Sequence, residues 1–537
     1  MGKLIRLIEK PFALLSGVQV VDEGQWIRAS SPRHYADKRT LFHLSRRDPF
    51  RIADAYQHIV IMGDTGCGKS TAGGMIGMSY LQAGFGGCVL SYKEGESHRW
   101  ITMAAATGRT PHMIVINPDN PSTFNLLAWE LERPGRGAGS TENACDVLVQ
   151  ITEFTAPGGR RQVQDSHWTE GTRRLLKHSI ETIRLAGLPI TMRHIRKIIE
   201  GIPVTHRFNG QLHWPPGSFV QECLQRAKQR GMDTALLEGY FVAELARIGQ
   251  EEHTGSVISS TTHMLDYLVS GVVAHLFFND HPTITPDFSK HGCIYLLDLP
   301  VLEFGNAGRI GQVAFRTVWI KEMMRRQGLE GGTPAFLYMD ESQQFFSPQL
   351  DNLFLEAARS SCVSACYLTQ TISAWYAAAE AGRAHDQVHA AMSHLGLKLF
   401  MRNSGDTNTY ASNLISKALQ IRYSGGSSSS ATRNHGVNSG FTSSSGSGGG
   451  GSHSSSGFSV GASRGVSDSY GTNSGWREEN DALVPEEVFT RLAVGQAVAF
   501  RSGKRFALTG RPYTWVQFQP WEQARPRQGL RRWRGSR

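Results

Sequence analysis

The chain has 537 residues, with 56 Lys plus Arg against 46 Asp plus Glu, and it is 40% hydrophobic and 9% aromatic. That much apolar material excludes wholesale disorder and can supply cores for about three or four folding units of roughly 150 residues each. The net charge of +10 favours an anionic partner such as nucleic acid or an acidic membrane surface, and the seven scattered cysteines (Cys67, Cys88, Cys145, Cys223, Cys293, Cys362, Cys366), without a CxxC pair, exclude a disulfide framework and a zinc site and read as reduced cytosolic thiols.

Residues 1–54 form an N-terminal segment. Its KLIRLIEKPFALL stretch suits a short amphipathic helix or an element packed on the core, with Pro11 limiting its length and Glu9 weakening a cationic face. Arg6, Glu9 and Lys10 interrupt the apolar residues that a secretory signal would need. No apolar run approaches the ~20 residues of a membrane-spanning helix, so the chain is expected to have no span of its own.

From residue 55 onward, short apolar runs recur between turn residues: HIVIM, GCVLSY, MIVI, CIYLLDL, AFLYMD, SACYLTQ and LGLKLFM. Runs apolar on both faces, joined by helical crossovers, predict a doubly wound, mostly parallel α/β sheet. Residues 55–139 and 281–423 are expected to form its two parts. Between them, 140–280 shows a 3.6-residue period, as in WTEGTRRLLKHSIETIRLAG, and reads as an all-helical insertion. In residues 424–475, 33 of 52 residues are Ser or Gly. Too little apolar surface is present to offset ordering entropy, so a flexible loop is expected, a faint alternation leaving a β-ribbon as the alternative. Folded patterning returns over 476–516, where Val498 to Phe500 and Arg505 to Leu508 suggest a hairpin turning at Ser502 and Gly503. Residues 517–537 are a basic tail, in which Arg525, Arg527, Arg531, Arg532, Arg534 and Arg537 surround Trp521 and Trp533, suited to nucleic acid, acidic lipid or plain solvation.

Residues 63–70 read GDTGCGKS, matching G-x-x-x-x-G-K-[ST] between an apolar strand-like run and the helix-like TAGGMIGMSYLQ. A phosphate loop needs this composition because its backbone N–H groups must turn inward around phosphate, in conformations that a side chain would block. Gly63, Asp64, Thr65, Gly66, Cys67, Gly68, Lys69, Ser70 and Thr71 are therefore the expected ATP-binding residues. Lys69 would reach the β- and γ-phosphates and Ser70 would ligate Mg²⁺. Farther on, AFLYMDE offers a buried strand ending in Asp340, the expected second metal ligand, and Glu341, the expected base for the attacking water. Arg359 in LEAARSSC would act as an arginine finger across a subunit interface, with Arg325 or Arg326 as alternatives, and Gln370 in CYLTQ would sense the γ-phosphate. Cys67, inside the loop, suggests a thiol whose oxidation blocks phosphate entry. An ABC-type ATPase is set aside, because the only LSGGQ-like string, YSGGS, follows the acidic strand instead of preceding it.

The order of these motifs resembles the coupling ATPases of conjugative and type IV secretion systems, the TraG/TraD group within the FtsK/HerA superfamily of RecA-like motors. SYKEGES resembles the family's DPKGE segment, INPDNPSTFNLLAW its NP…FNPL stretch, and SHWTEGTRRLL the start of its helical domain. YLTQTISAW resembles its glutamine motif and ALVPEEVFTRLAVGQAVAF its closing segment. The likeness spans roughly residues 55 to 515. It implies a RecA-like P-loop fold, ATP and Mg²⁺ as cofactors, a homo-hexamer around DNA, and a helical insertion that meets a relaxase or another secretion substrate. It further implies type IV secretion channel subunits as partners, at the cytoplasmic side of the inner membrane. Ser91 stands where the family usually has Asp, which puts that strand-end contact in doubt. The family's N-terminal transmembrane anchor has no counterpart, so any membrane attachment is expected through partners. A soluble HerA- or FtsK-like translocase, and a nucleotide-gated scaffold that moves no DNA, are the alternative functions.

Overall fold

The computed structural model describes residues 37–521 except 121, 153, 155–165, 203–206, 209–210, 213, 246–251, 327–331, 381, 416, 446–453 and 508. The proposed N-terminal amphipathic helix and the tail arginines lie outside the described residues. The chain divides into two compact units, residues 1–411 with 486–537, and residues 412–485.

The first unit opens with a hairpin of β1 (Thr40–Ser45) and β2 (Asp48–Arg51). The sheet that follows comprises β3 (Ile59–Met62), β4 (Gly86–Leu90), β5 (Met113–Ile116), β6 (Ile294–Leu297), β7 (Ala335–Met339), β8 (Val363–Thr369) and β9 (Leu397–Met401). It is completed by β12 (Gln496–Arg501) and β13 (Tyr513–Gln517), in the order β13-β12-β9-β3-β8-β7-β4-β6-β5. The seven strands from β9 to β5 are parallel and the last two antiparallel. Every residue of β3, β4, β6, β7, β8 and β9 is buried, as expected of parallel strands covered on both faces. This is the doubly wound, mostly parallel sheet that the sequence predicts.

Between β5 and β6 the chain is mainly helical, with helices at Thr141–Thr152, Ser166–Leu185, Met192–Glu200, Phe219–Gln229, Glu252–Val269 and Gly271–Phe277. Two short strands, Arg207–Phe208 and Gln211–Leu212, interrupt them. No helix among the described residues is long and apolar enough to cross a membrane.

The expected hairpin after β12 is corrected. Its partner is β13, not residues 505–508. The intervening chain first makes its own turn, with Phe506 N–H donating to Arg511 O and Gly510 N–H to Phe506 O, because the Phe506 ring is buried in the core cluster.

The second unit corrects the expected flexible loop. Strand β10 (Lys417–Ser445) pairs antiparallel with β11 (Ser454–Ala482) in unbroken register, Tyr423 opposite Trp476 and Phe441 opposite Phe458. The paired backbones bond to each other, a compensation that a count of apolar residues does not register. At about 3.3 Å per residue each strand is roughly 95 Å long. The paired region also extends beyond the expected boundaries, so residues 476–482 belong to the ribbon and not to the closing segment.

Helix α1 (Lys69–Gln82) carries glycines at 73, 74 and 77, a composition that normally costs about 0.5 to 1 kcal/mol per glycine relative to alanine. Packing accounts for two of them. A Cβ on Gly73 would lie 2.3 Å from the Tyr338 hydroxyl and 2.7 Å from Leu368 Cδ2, and one on Gly77 would lie 2.8 Å from Trp100. Bare backbone lets α1 sit close on β7 and β8, while Trp100 stacks on Phe336 and meets Tyr338 edge-on. Gly73→Ala should therefore lower stability by about 1 to 3 kcal/mol, against the helix-propensity trend, read as a lower thermal midpoint.

Candidate functional site

The site lies along the carboxyl ends of the parallel strands. β3 ends at Met62, in register with Thr369 of β8 and Phe400 of β9, and Met339 of β7 is in register with Tyr367 and Leu90. One row of exits thus brings together Gly63, Gln370, Asp340 and Ser91, which are far apart in sequence.

The loop beyond β3 is held from both sides, with Gly63 N–H donating to Thr369 O and Asp64 N–H to Arg402 O. Gly66 (φ 77°) and Gly68 (φ 99°) take left-handed conformations that turn the chain back into α1. A Cβ on Gly68 would also stand 2.8 Å from Gly495 N. That glycine donates its N–H to Cys67 O at 2.8 Å, so the closing segment after the ribbon braces the loop from behind. Thr65, Gly66 and Ser70 are exposed, and Thr71 is partly covered. Lys69 is folded inward, its Nζ donating to Gly63 O (2.7 Å) and Asp64 O (3.1 Å). Cys67 departs from the oxidation idea: its side chain is fully buried near Met401, and burial raises its thiol pKa, which disfavours the reactive thiolate.

From the other side, Ser70 Oγ donates to Asp340 Oδ2 at 3.4 Å, across 270 residues of chain. Asp340 also accepts from Glu341 N–H at 2.9 Å. Burial raises its carboxyl above the ordinary range, with the Arg99 guanidinium opposing and the Glu341 charge adding to the rise. Glu341 is one of three non-glycine residues at positive φ (47°) among the described residues, a strained backbone of the kind that re-aims a side chain at a strand end. Burial pushes its carboxyl up, but side-chain hydrogen bonds from Gln343, Gln370 and Lys93 outweigh burial and hold it below the usual value. The turn after it is pinned from beneath by a fully buried ion pair between Arg316 and Asp351. Asp351 also accepts from the Tyr367 hydroxyl and Ser347 N–H, while Arg316 donates to Phe345 O.

Ser91, where the resembled family usually has Asp, is buried and bonded through its backbone to the Gln312 amide in both directions, at 2.8 and 2.9 Å. The nearby carboxylate is Asp298 at the exit of β6, which accepts from Ser97 Oγ and Asn117 Nδ2. Three residues that motif reading passed over also belong here, all in or just after SYKEGES. Lys93 pairs with Glu341 at 3.0 Å, and Arg99 donates to Ser70 O at 3.1 Å. Glu96 accepts from Tyr92 N–H at 2.8 Å, and burial, then the Asp340 charge, pushes its carboxyl up to about 7. The signal was present in the i, i+3 spacing of Glu96 and Arg99 in the first turn of a helix that follows a buried strand.

Gln370 is at the site, its Nε2 3.1 and 3.2 Å from the two Glu341 oxygens. Arg359 is not. It is exposed on a single turn, Ala358–Ser361, before β8, whose first residue pairs with the first residue of β7. It therefore lies at the amino end of the sheet, a strand length of about 16 Å from the exit of β7. Neither alternative arginine projects outward. Arg325 pairs with Glu130 and Glu322, and buried Arg326 donates to Ser361 O, Thr333 O and Cys362 O, bracing the turn that carries Arg359.

The residues present fit a magnesium nucleotide. The loop crown is open, a Cβ on Gly66 would meet nothing within 4 Å, and Ser70 Oγ and Asp340 Oδ2 are close enough to share a hard cation with phosphate oxygens.

The architecture is a RecA-like P-loop fold, and comparison with solved structures agrees. The chain resembles the bacterial conjugative coupling protein TrwBdeltaN70 in an unbound form (TM-score 0.53, 14% identity, 88% of this chain and 86% of that one). It also resembles the plasmid coupling protein TrwB in complex with ADP and Mg²⁺ (0.55, 13%, 90% and 89%) and with a non-hydrolysable ATP analogue (0.54, 14%, 91% and 91%). At such identities the likeness concerns the fold, which this chain shares with a conjugative coupling protein over nearly its whole length. No family model and no curated relative matches the sequence.

If Arg326 is a brace and not a finger, Arg326→Met should leave the buried Ser361 and Thr333 carbonyls without this donor, while Cys362 O keeps the Ala335 N–H. It should destabilise the protein by about 2 to 4 kcal/mol in chemical denaturation, while nucleotide binding by the folded fraction stays intact.

Proposed function

We propose that the protein is an ATP-hydrolysing DNA translocase that serves as a coupling protein, delivering DNA or nucleoprotein to a type IV secretion or conjugation channel. The observation that carries the reading is the convergence of Ser70, 270 residues before Asp340 in the chain, with Asp340 and Glu341 across the exits of two strands that flank β8. Only a site that handles a metal-bound phosphate requires a glycine cradle, a hydroxyl and two carboxylates of unlike environment at one point. The fold shared with TrwB, which has been solved with nucleotides and Mg²⁺, supports the same reading.

In this reading the loop from Gly63 to Thr71 wraps the phosphates, with N–H groups beyond Asp64 turned towards them, and Lys69 leaves its two carbonyls to meet the terminal ones. Ser70 and Asp340 hold Mg²⁺, which when bound supplies charge neutralisation on the phosphate oxygens. Glu341 orients the attacking water and takes its proton, and Gln370 moves between that carboxylate and the γ-phosphate. Arg359, at the amino end of its own sheet, serves the site of a neighbouring subunit in a homo-hexamer. Such a role explains its exposure and its distance from the phosphate loop of its own chain. Basic side chains lining the central channel contact DNA phosphates, which makes translocation independent of sequence and sensitive to salt. Relaxase or other cargo meets the helical segment between residues 140 and 280, and channel subunits at the inner membrane are the receiving partners.

The deciding experiment is steady-state ATPase turnover with and without DNA, together with a mass measurement of the assembly. DNA-stimulated turnover by a ring supports the motor, whereas turnover indifferent to DNA favours a nucleotide-gated scaffold. Glu341→Gln should keep ATP binding and lose at least a hundredfold in turnover, within the usual range for a general base. Arg359→Ala should abolish turnover with nucleotide affinity unchanged, and mixing it with Lys69→Ala protein should restore part of the activity. Failure of that complementation would place Arg359 outside the reaction.

A further inference from the structure

Three side-chain donors from three segments meet on the Glu341 carboxylate. Lys93, beyond β4, approaches Oε1 at 3.0 Å, Gln343 approaches Oε2 at 2.8 Å, and Gln370, beyond β8, spans both oxygens at 3.1 and 3.2 Å. A carboxylate offers about four acceptor positions, and here donors occupy them. A general base must keep one open, because it accepts a hydrogen bond from the water it activates. The geometry is that of a base held at rest.

We propose that Lys93 is a positioning residue that latches Glu341, and that a phosphate oxyanion drawing its ammonium away frees the carboxylate to engage water. The inference rests on Glu341 being the base, as proposed above. Exposure decides which partner moves: the Lys93 side chain is 49% exposed and that of Glu341 only 3%. Glu341 is fixed by its backbone conformation and two glutamines, whereas Lys93 sits on an exposed loop and its ammonium rides a flexible four-carbon stem. The glutamines are neutral, so an arriving anion competes most strongly for the lysine. Two sources supply that chemistry, the terminal phosphate of the bound nucleotide and a nucleic-acid backbone.

The test is ATP turnover of the full chain, with and without DNA, for the wild type, Lys93→Met and Lys93→Arg, with thermal denaturation to confirm folding. Lys93→Met is expected to raise DNA-free kcat about fivefold, the scale set by loss of a partly exposed ion pair, and Lys93→Arg to return it towards the wild-type value. If nucleic acid is the releasing anion, the fold-stimulation by DNA shrinks in Lys93→Met and KM for ATP is unchanged. If the nucleotide's own phosphate releases the latch, KM rises and the DNA stimulation persists. A folded Lys93→Met protein with unchanged or lower kcat overturns the latch. Glu341→Gln separates the two levels: normal turnover there would show that the base assignment is at fault, not the latch.

Discussion

The structure depends on one constraint, that the exits of β3 and β7 must lie near enough for the Ser70 hydroxyl to reach the Asp340 carboxylate although β8 lies between them. Parallel pairing supplies it. Because β3 and β7 both pair with β8 in fixed register, their ends cannot slide relative to each other without moving every buried side chain between them. The glycine contacts of α1, the stack of Trp100 on Phe336 and the buried Arg316–Asp351 network all hold that register or the turn emerging from it. Breaking the ion pair from one side would leave a charge buried and unpaired, at a cost of about 3 to 5 kcal/mol.

Electrostatics then separates the carboxylates at these exits into different roles. Asp340 is buried beside a like charge and resists ionisation, which suits a group that a cation would complete. Glu341, one residue on, is surrounded by donors and held ionised. Neighbouring residues differ this much because the strand end reverses the chain: the left-handed turn at Glu341 points its carboxylate towards Lys93 and Gln370 while Asp340 stays under the loop.

Arginines show the same division between structure and chemistry. Arg326 is wholly committed to backbone carbonyls around the Ala358–Ser361 turn, and Arg325 to Glu130 and Glu322. Arg359, exposed on the turn those carbonyls shape, has no side-chain partner among the described residues of its own chain.

The strands, the glycine loop, Asp340, Glu341 and Gln370 were legible in the sequence because each is a local signal: a buried apolar run, a fixed spacing, a polar residue at a strand end. Lys93, Glu96 and Arg99 were quoted or adjacent in the SYKEGES stretch but not assigned, since nothing local tells that β4 will lie beside β7. The Ser/Gly ribbon was misjudged for a related reason, as its stability lies in pairing between segments whose composition alone predicts none. Sequence by itself determined which side-chain types stand in the glycine loop and at the strand ends, through composition and spacing. Tertiary structure alone decided which of them meet, because strand order and register are long-range properties that bring residues hundreds of positions apart within hydrogen-bonding distance and leave Arg359 at the opposite, amino end of the sheet.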